Sequence, residues 1–60
     1  MNNWKLKYKK VGHFITTTNW IDEATAQSWF SQLEADASCT WCELLCNDGE
    51  CDCIMKEFYR

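Results

Sequence analysis

Trp41-Cys42-Glu43-Leu44-Leu45-Cys46-Asn47-Asp48-Gly49-Glu50-Cys51-Asp52-Cys53-Ile54-Met55-Lys56 is the stretch that decides the fold. Asp48-Gly49 is a two-residue hairpin signal, because a type I′ turn needs positive φ at both central positions and Asp-Gly adopts that readily. With this pair at the tip, Asn47 faces Glu50, Cys46 faces Cys51, Leu44 faces Cys53 and Cys42 faces Met55. Side chains alternate along a strand. One face then carries Cys42, Leu44, Cys46, Cys51, Cys53 and Met55, and is expected to be core. The other carries Trp41, Glu43, Leu45, Asp52, Ile54 and Lys56, a partly apolar outer surface.

Upstream, residues 4–10 alternate Trp4, Leu6 and Tyr8 with Lys5, Lys7 and Lys9, which is the period of a half-buried strand. Gly12 punctuates, and the β-branched, aromatic run 13–18 reads as the returning strand. A two-residue loop pairs Tyr8 with Ile15; a three-residue loop pairs it with Phe14 and reverses the buried side. The first register is preferred. Asn19 reads as an N-cap, with Asp22 three residues on, and a helix over 20–37 follows. Ala26, Trp29, Phe30, Leu33 and Ala37 form its apolar stripe. The order is β-β-α-β-β. It predicts one α+β domain over 1–60, with hairpins 4–18 and 41–57 around the helix. The expected sheet is antiparallel and four-stranded, in spatial order 2-1-3-4, with the helix on one face.

Composition bounds the function. Sixty residues bury about 60% of the unfolded surface, which leaves little room for a substrate cavity. At 47% hydrophobic, with four Trp, the chain is too apolar for disorder. No apolar run reaches transmembrane length, and the N-terminus lacks an apolar leader, so a cytoplasmic location is expected. The net charge of −3 is unevenly spread: Lys5, Lys7, Lys9 and Lys10 precede all nine acids. Basic and acidic strands lying side by side would compensate each other.

The five cysteines, at 39, 42, 46, 51 and 53, raise a zinc or redox reading. Cys42 and Cys46 lie four strand residues apart, about 13 Å, too far to share one ion. The remaining ligand set would be Cys46, Cys51 and Cys53 with Cys39 or His13 as the fourth, and would distort the strand. Cys46 and Cys51, facing each other beside the turn, are the best-placed disulfide pair, but a reducing cytoplasm and the odd count oppose it. The favoured expectation is that the thiols act as small core hydrophobes, with Cys39 in the connection and most exposed. His13 is expected to be an exposed turn residue. Asp48-x-Glu50-x-Asp52 fails as a calcium loop because its glycine and its twelfth residue, Tyr59, are wrong. No nucleophile, phosphate loop or metal-binding His pair is present, so neither an enzyme nor a cofactor is expected.

One helix cannot cover both faces of four strands. The far face should present Lys5, Lys7, Lys9, Phe14, Thr16 and Thr18 from the first hairpin, beside the outer set of the second. Trp41, Leu45, Ile54 and Phe14 would form an apolar patch rimmed by Glu43, Asp52 and the lysines, the signature of an interaction site. The expected partner is a protein. A homodimer seam is one alternative, nucleic acid held by Lys5, Lys7, Lys9 and Lys10 another, and no membrane contact is expected.

Residues 4–33, with their aromatic, basic hairpin, Asp22-Glu23-Ala24 and Trp29, resemble in arrangement the arm-type and AP2-like DNA-binding domains of phage integrases. That resemblance implies a sheet that enters the DNA groove. The acidic second hairpin departs from it, since Glu43, Glu50 and Asp52 would face or flank phosphates. The layout is also similar to small phage-encoded inhibitors of bacterial RNA polymerase. This second resemblance implies a phage accessory protein that binds and modulates a host protein.

Overall fold

Strict alternation in residues 4–10 does what its period demands. In the computed structural model, which describes residues 2–60, they form β1 (Trp4–Lys10). It is followed by β2 (Thr16–Thr17), α1 (Glu23–Ala35), β3 (Cys39–Asn47) and β4 (Asp52–Tyr59). The four strands make one antiparallel sheet in the order β2-β1-β3-β4, with α1 on one face. This is the expected α+β arrangement and strand order. The two central strands supply Leu6, Cys39, Cys42 and Leu44 to the core, and α1 lays Ala26 and Phe30 over them. Trp4, Tyr8, Ile21, Leu33 and Phe58 pack around that centre. No helix among the described residues is long and apolar enough to cross a membrane.

The helix is shorter than 20–37, and Asn19 is not its cap. Trp20 and Ile21 stay extended because Ile21 exchanges backbone hydrogen bonds with Trp4, at 2.7 and 3.0 Å. That ties the chain to the sheet end and puts Ile21 against the core. Asp22 caps instead, its carboxylate accepting from the Thr25 amide at 3.1 Å and the Thr25 hydroxyl at 2.7 Å. These bonds lower its pKa, as expected of a carboxylate on helix donors. At the other end Asp36 bonds the Ser38 amide and hydroxyl, so Ala37 leaves the stripe and is exposed. The last turn has no basic residue of its own. Arg60 reaches across from the end of β4 to the Glu34 and Cys39 carbonyls, placing a cation where the helix dipole favours one.

Both hairpin registers differ from expectation. The first loop is longer, so Tyr8 pairs with Thr16 rather than Ile15, and Lys7 with Thr17. Thr16 and Thr18 therefore face the helix side, and Phe14 leaves the sheet. In the second hairpin the described residues show no positive φ outside glycine, so Asp48-Gly49 cannot be a type I′ pair. Gly49, at φ 104°, sits inside a four-residue loop 48–51. Asp48 Oδ1 accepts from the Glu50 and Cys51 amides, both at 3.0 Å, and Asn47 Oδ1 accepts from the Gly49 amide at 2.8 Å. Side-chain acceptors have taken over the turn. Cys46 now faces Cys53, Asn47 faces Asp52, and the hairpin runs on to a Trp41–Tyr59 pair.

One further irregularity sets the inner face of β4. Leu45 pairs with Ile54 and Leu44 with Lys56, so Met55 is the extra residue of a β-bulge. Strict alternation would place Ile54, Lys56 and Phe58 on one side. The bulge keeps Ile54 outside and turns Lys56 and Phe58 toward the helix. The Lys56 ammonium then meets the Gln27 side-chain carbonyl at 3.5 Å. Phe58 packs edge-to-face on Phe30, centroids 5.6 Å apart. Deleting Met55 should therefore regularise the strand without changing a single partner. The deletion variant is expected to unfold cooperatively within about 8 °C of the parent, roughly 1 kcal/mol for a chain this small. Loss of the cooperative transition, or of cross-strand nuclear Overhauser contacts between Leu44 and Lys56, would refute this account of the bulge.

Candidate functional site

With Phe58 and Lys56 turned inward, the face away from α1 is built from cross-strand rows. Lys9, Trp41 and Tyr59 form one row, and Thr17, Lys7, Glu43 and Glu57 the next. Lys5, Leu45 and Ile54 form a third, and Asn47 and Asp52 close the end. Two chemistries result: a lysine column on β1, and an acidic and apolar double column on β3 and β4.

The lysines are partly spent inside the protein. Lys5 bridges to Asp52 at 2.9 Å, and its ammonium lies 4.4 Å from the centre of the Trp20 ring. The Lys5 and Asn47 side chains hold the Asp52 carboxyl below its usual range. Lys10 is not on this face. Alternation puts it on the helix side with Leu6 and Tyr8, where it meets Asp36 at 3.1 Å. The Ser38 hydrogen bonds first, and Lys10 after them, bring the Asp36 pKa down to about 2. Lys5 thus offsets one acid of β4 and Lys10 one at the helix end, and Lys7 and Lys9 are the cations of this face without an ion pair among the described residues.

The expected patch is partly dismantled. Trp41 and Glu43 lie on the outer face, half-buried, with Asp52 and Ile54 exposed. Leu45 is on that face but only 5% exposed, between its neighbours Lys5 and Ile54, so it is not an accessible anchor. Phe14 is 93% exposed in the loop between β1 and β2 and does not join the sheet face. Lys56 has gone to the helix side. Two residues were missed: Glu57 and Tyr59, the latter 69% exposed, complete the outer rows. Their signal was the alternation of residues 57–59, which continues β4 once the bulge is allowed for. Glu43 and Glu57 stand directly opposite each other. Like charges in that position destabilise a sheet.

The cysteines divide differently from the expected ligand set. Cys39 is not an exposed thiol in a connection; it is the fully buried first residue of β3. Seven residues along the same strand, Cys46 is on the order of 23 Å away, so Cys39 and Cys46 cannot share an ion. Cys46 does not face Cys51 either, and all five thiols are free. Instead Cys51 and Cys53 come together at the hairpin tip, their sulfurs 3.9 Å apart. Asp48 Oδ2 lies 3.6 Å from the Cys53 sulfur and 3.9 Å from that of Cys51. The Cys51 thiol first, and Asp48 after it, push the Cys53 pKa up to about 11. The sequence points to Asp48 as a turn residue and a poor calcium ligand, not as a partner of the two thiols. Its Asp-x-x-Cys-x-Cys spacing was the available signal.

A groove of about 380 Å³ runs between α1 and β1, lined by Leu6, Tyr8, Thr18, Trp29 and Leu33. Its charged end is the Lys10–Asp36 pair, already mutually satisfied. His13 lies exposed in the β1–β2 loop. No protein family matches the chain, and neither a curated protein nor a solved structure matches it.

Proposed function

We propose that the chain is a non-enzymatic binding protein that docks a protein partner on the outer sheet face and modulates it. The observation that carries this is the Glu43–Glu57 row, flanked on one side by Trp41 and Tyr59 and on the other by Ile54. Lys7 stands beside Glu43 in this row and the Tyr59 hydroxyl donates to Glu57 at 3.3 Å, but no ion pair among the described residues neutralises the two opposed carboxylates, so the face is complementary to a cationic, partly apolar surface. A lysine or arginine of the partner would sit between the carboxylates, while Trp41, Tyr59 and Ile54 exclude water around it. As the phage resemblances imply, the partner would be a host protein bound by a phage-encoded factor. Nucleic acid fits this face less well, because Glu43, Glu57 and Asp52 share it with the lysines.

Affinity capture from bacterial lysate after nuclease treatment, run in parallel with two outer-face variants, tests the assignment. Trp41→Ala with Ile54→Ala is expected to weaken binding at least 100-fold, the loss of about two hot-spot contacts. Glu43→Lys with Glu57→Lys should abolish it by placing like charges against the partner's cation. Full retention by folded variants would move binding off this face. Capture that disappears with nuclease, and falls steeply with salt, would assign the lysine column to nucleic acid instead. A dimer in light scattering that both variants dissolve would make the partner a second copy.

A further inference from the structure

The hairpin tip carries a second, chemically different arrangement, on residues that the outer face does not use. Cys51 and Cys53 are two apart and share a side, and Asp48 Oδ2 completes a triangle with their sulfurs. All three ligand atoms lie within 4.8 Å of one another. Their separations can be compared with the edges of a coordination polyhedron. Bonds of ~2.3 Å to sulfur and ~2.1 Å to oxygen at tetrahedral angles give S···S edges of about 3.8 Å and S···O edges of about 3.6 Å. The three observed edges are 3.9, 3.6 and 3.9 Å. The triangle thus has tetrahedral size without rearrangement of the loop.

The backbone explains why the triangle holds. Asp48 divides its work between two oxygens: Oδ1 accepts the Glu50 and Cys51 amides and pins the loop, while Oδ2 faces both sulfurs. Asn47 restrains the other flank, its amide nitrogen donating to Asp52 Oδ1 at 2.8 Å. Cys51 is exposed and Cys53 half-buried, so an ion can enter from solvent. Two thiolates and a carboxylate form a soft, anionic set that suits zinc-class ions rather than calcium or magnesium.

We propose that Asp48 Oδ2 and the sulfurs of Cys51 and Cys53 bind one zinc-class divalent cation at the tip of the β3–β4 hairpin. Two thiol protons leave for solvent as the metal–sulfur bonds form. The fourth position stays open to water or to an incoming ligand, as in zinc sites with three protein ligands. The site cross-links the loop to the start of β4, so metal binding stiffens the tip.

Cobalt titration of the reduced full-length chain reads this directly, because tetrahedral thiolate ligation gives visible bands and sulfur-to-metal charge transfer. The expected result is one Co²⁺ per chain, displaced by Zn²⁺, with two thiolates in the charge-transfer intensity. Cys51→Ser and Cys53→Ser should each weaken binding by more than the 10–100-fold typical of an outer-shell change. Asp48→Asn keeps the Oδ1 acceptor and the loop but loses the anionic ligand, and should weaken binding with an unchanged far-UV spectrum. Cys46→Ser should leave the affinity intact. Absence of binding at millimolar Co²⁺ overturns the site, as does a spectrum that survives both serine substitutions or one that requires Cys39.

Discussion

Phe30→Ala should leave the protein without a cooperative thermal transition. Phe30 is 5% exposed and sits over the centre of the sheet, in one cluster with Leu6, Cys42 and Leu44. Removing a buried phenylalanine costs about 3–5 kcal/mol, from lost transfer energy plus the cavity left behind. The edge-to-face contact with Phe58 adds about 0.5–1.5 kcal/mol to what is lost. A 60-residue domain holds roughly 3–9 kcal/mol in total, so the substitution removes most or all of it. Phe30→Leu keeps much of the volume and should remain folded with a lower midpoint. Calorimetry of the two variants decides the matter: an alanine variant that melts cooperatively within a few degrees of the parent would mean that the core does not centre on Phe30.

Alkaline pH should unfold the protein through Cys42. Its thiol is fully buried, and that burial, reinforced by Cys39 and then by Glu43 and Glu34, pushes its pKa from 9.0 up to about 12. In the unfolded chain the thiol ionises near its ordinary value, while the folded protein keeps it neutral. The unfolded state therefore binds fewer protons above about pH 9, and folding stability falls as pH rises from there toward 12. Below pH 9 this group contributes no pH dependence. The slope approaches ~1.4 kcal/mol per pH unit, on the order of 2 kcal/mol between about pH 9 and pH 10.5. Urea denaturation of the parent and of Cys42→Ala across that range isolates the group. The alanine variant starts less stable because of its cavity, and the two curves should converge as pH rises. Curves that stay parallel would show that Cys42 is not protected. Alkylation gives an independent reading: Cys51 should react in the native state and Cys42 only after unfolding.

Local chemistry determined much of this protein. Alternation in residues 4–10 placed Trp4, Leu6 and Tyr8 inward and Lys5, Lys7 and Lys9 outward, because a strand has no other way to arrange consecutive side chains. The helical spacing of Ala26, Phe30 and Leu33 identified the face that meets the sheet. The β-β-α-β-β order, with one helix for four strands, implied an uncovered face and made 2-1-3-4 the simplest strand order, which the sheet adopts.

Only the tertiary structure decided register, and register decides which residues share a site. Asp48 could have formed a tight turn with Gly49. It instead accepts two amides through its side chain, which lengthens the loop and brings Cys51, Cys53 and Asp48 together. The bulge at Met55 is settled across the sheet, where the hydrophobic gain of placing Phe58 against Phe30 outweighs a regular ladder. Asn19 had sound capping chemistry but lost to Ile21, whose pairing with Trp4 buries an apolar side chain that a longer helix would have pulled away. Leu45 and Phe14 show the same limit: alternation assigns a side, while burial depends on neighbours from distant parts of the chain. Period and propensity act over a few residues, so they specify elements and faces. Pairing between elements is a contest among long-range contacts, and here those contacts drew the outer face, while the local hydrogen bonds of the Asp48 side chain shaped the hairpin-tip triangle.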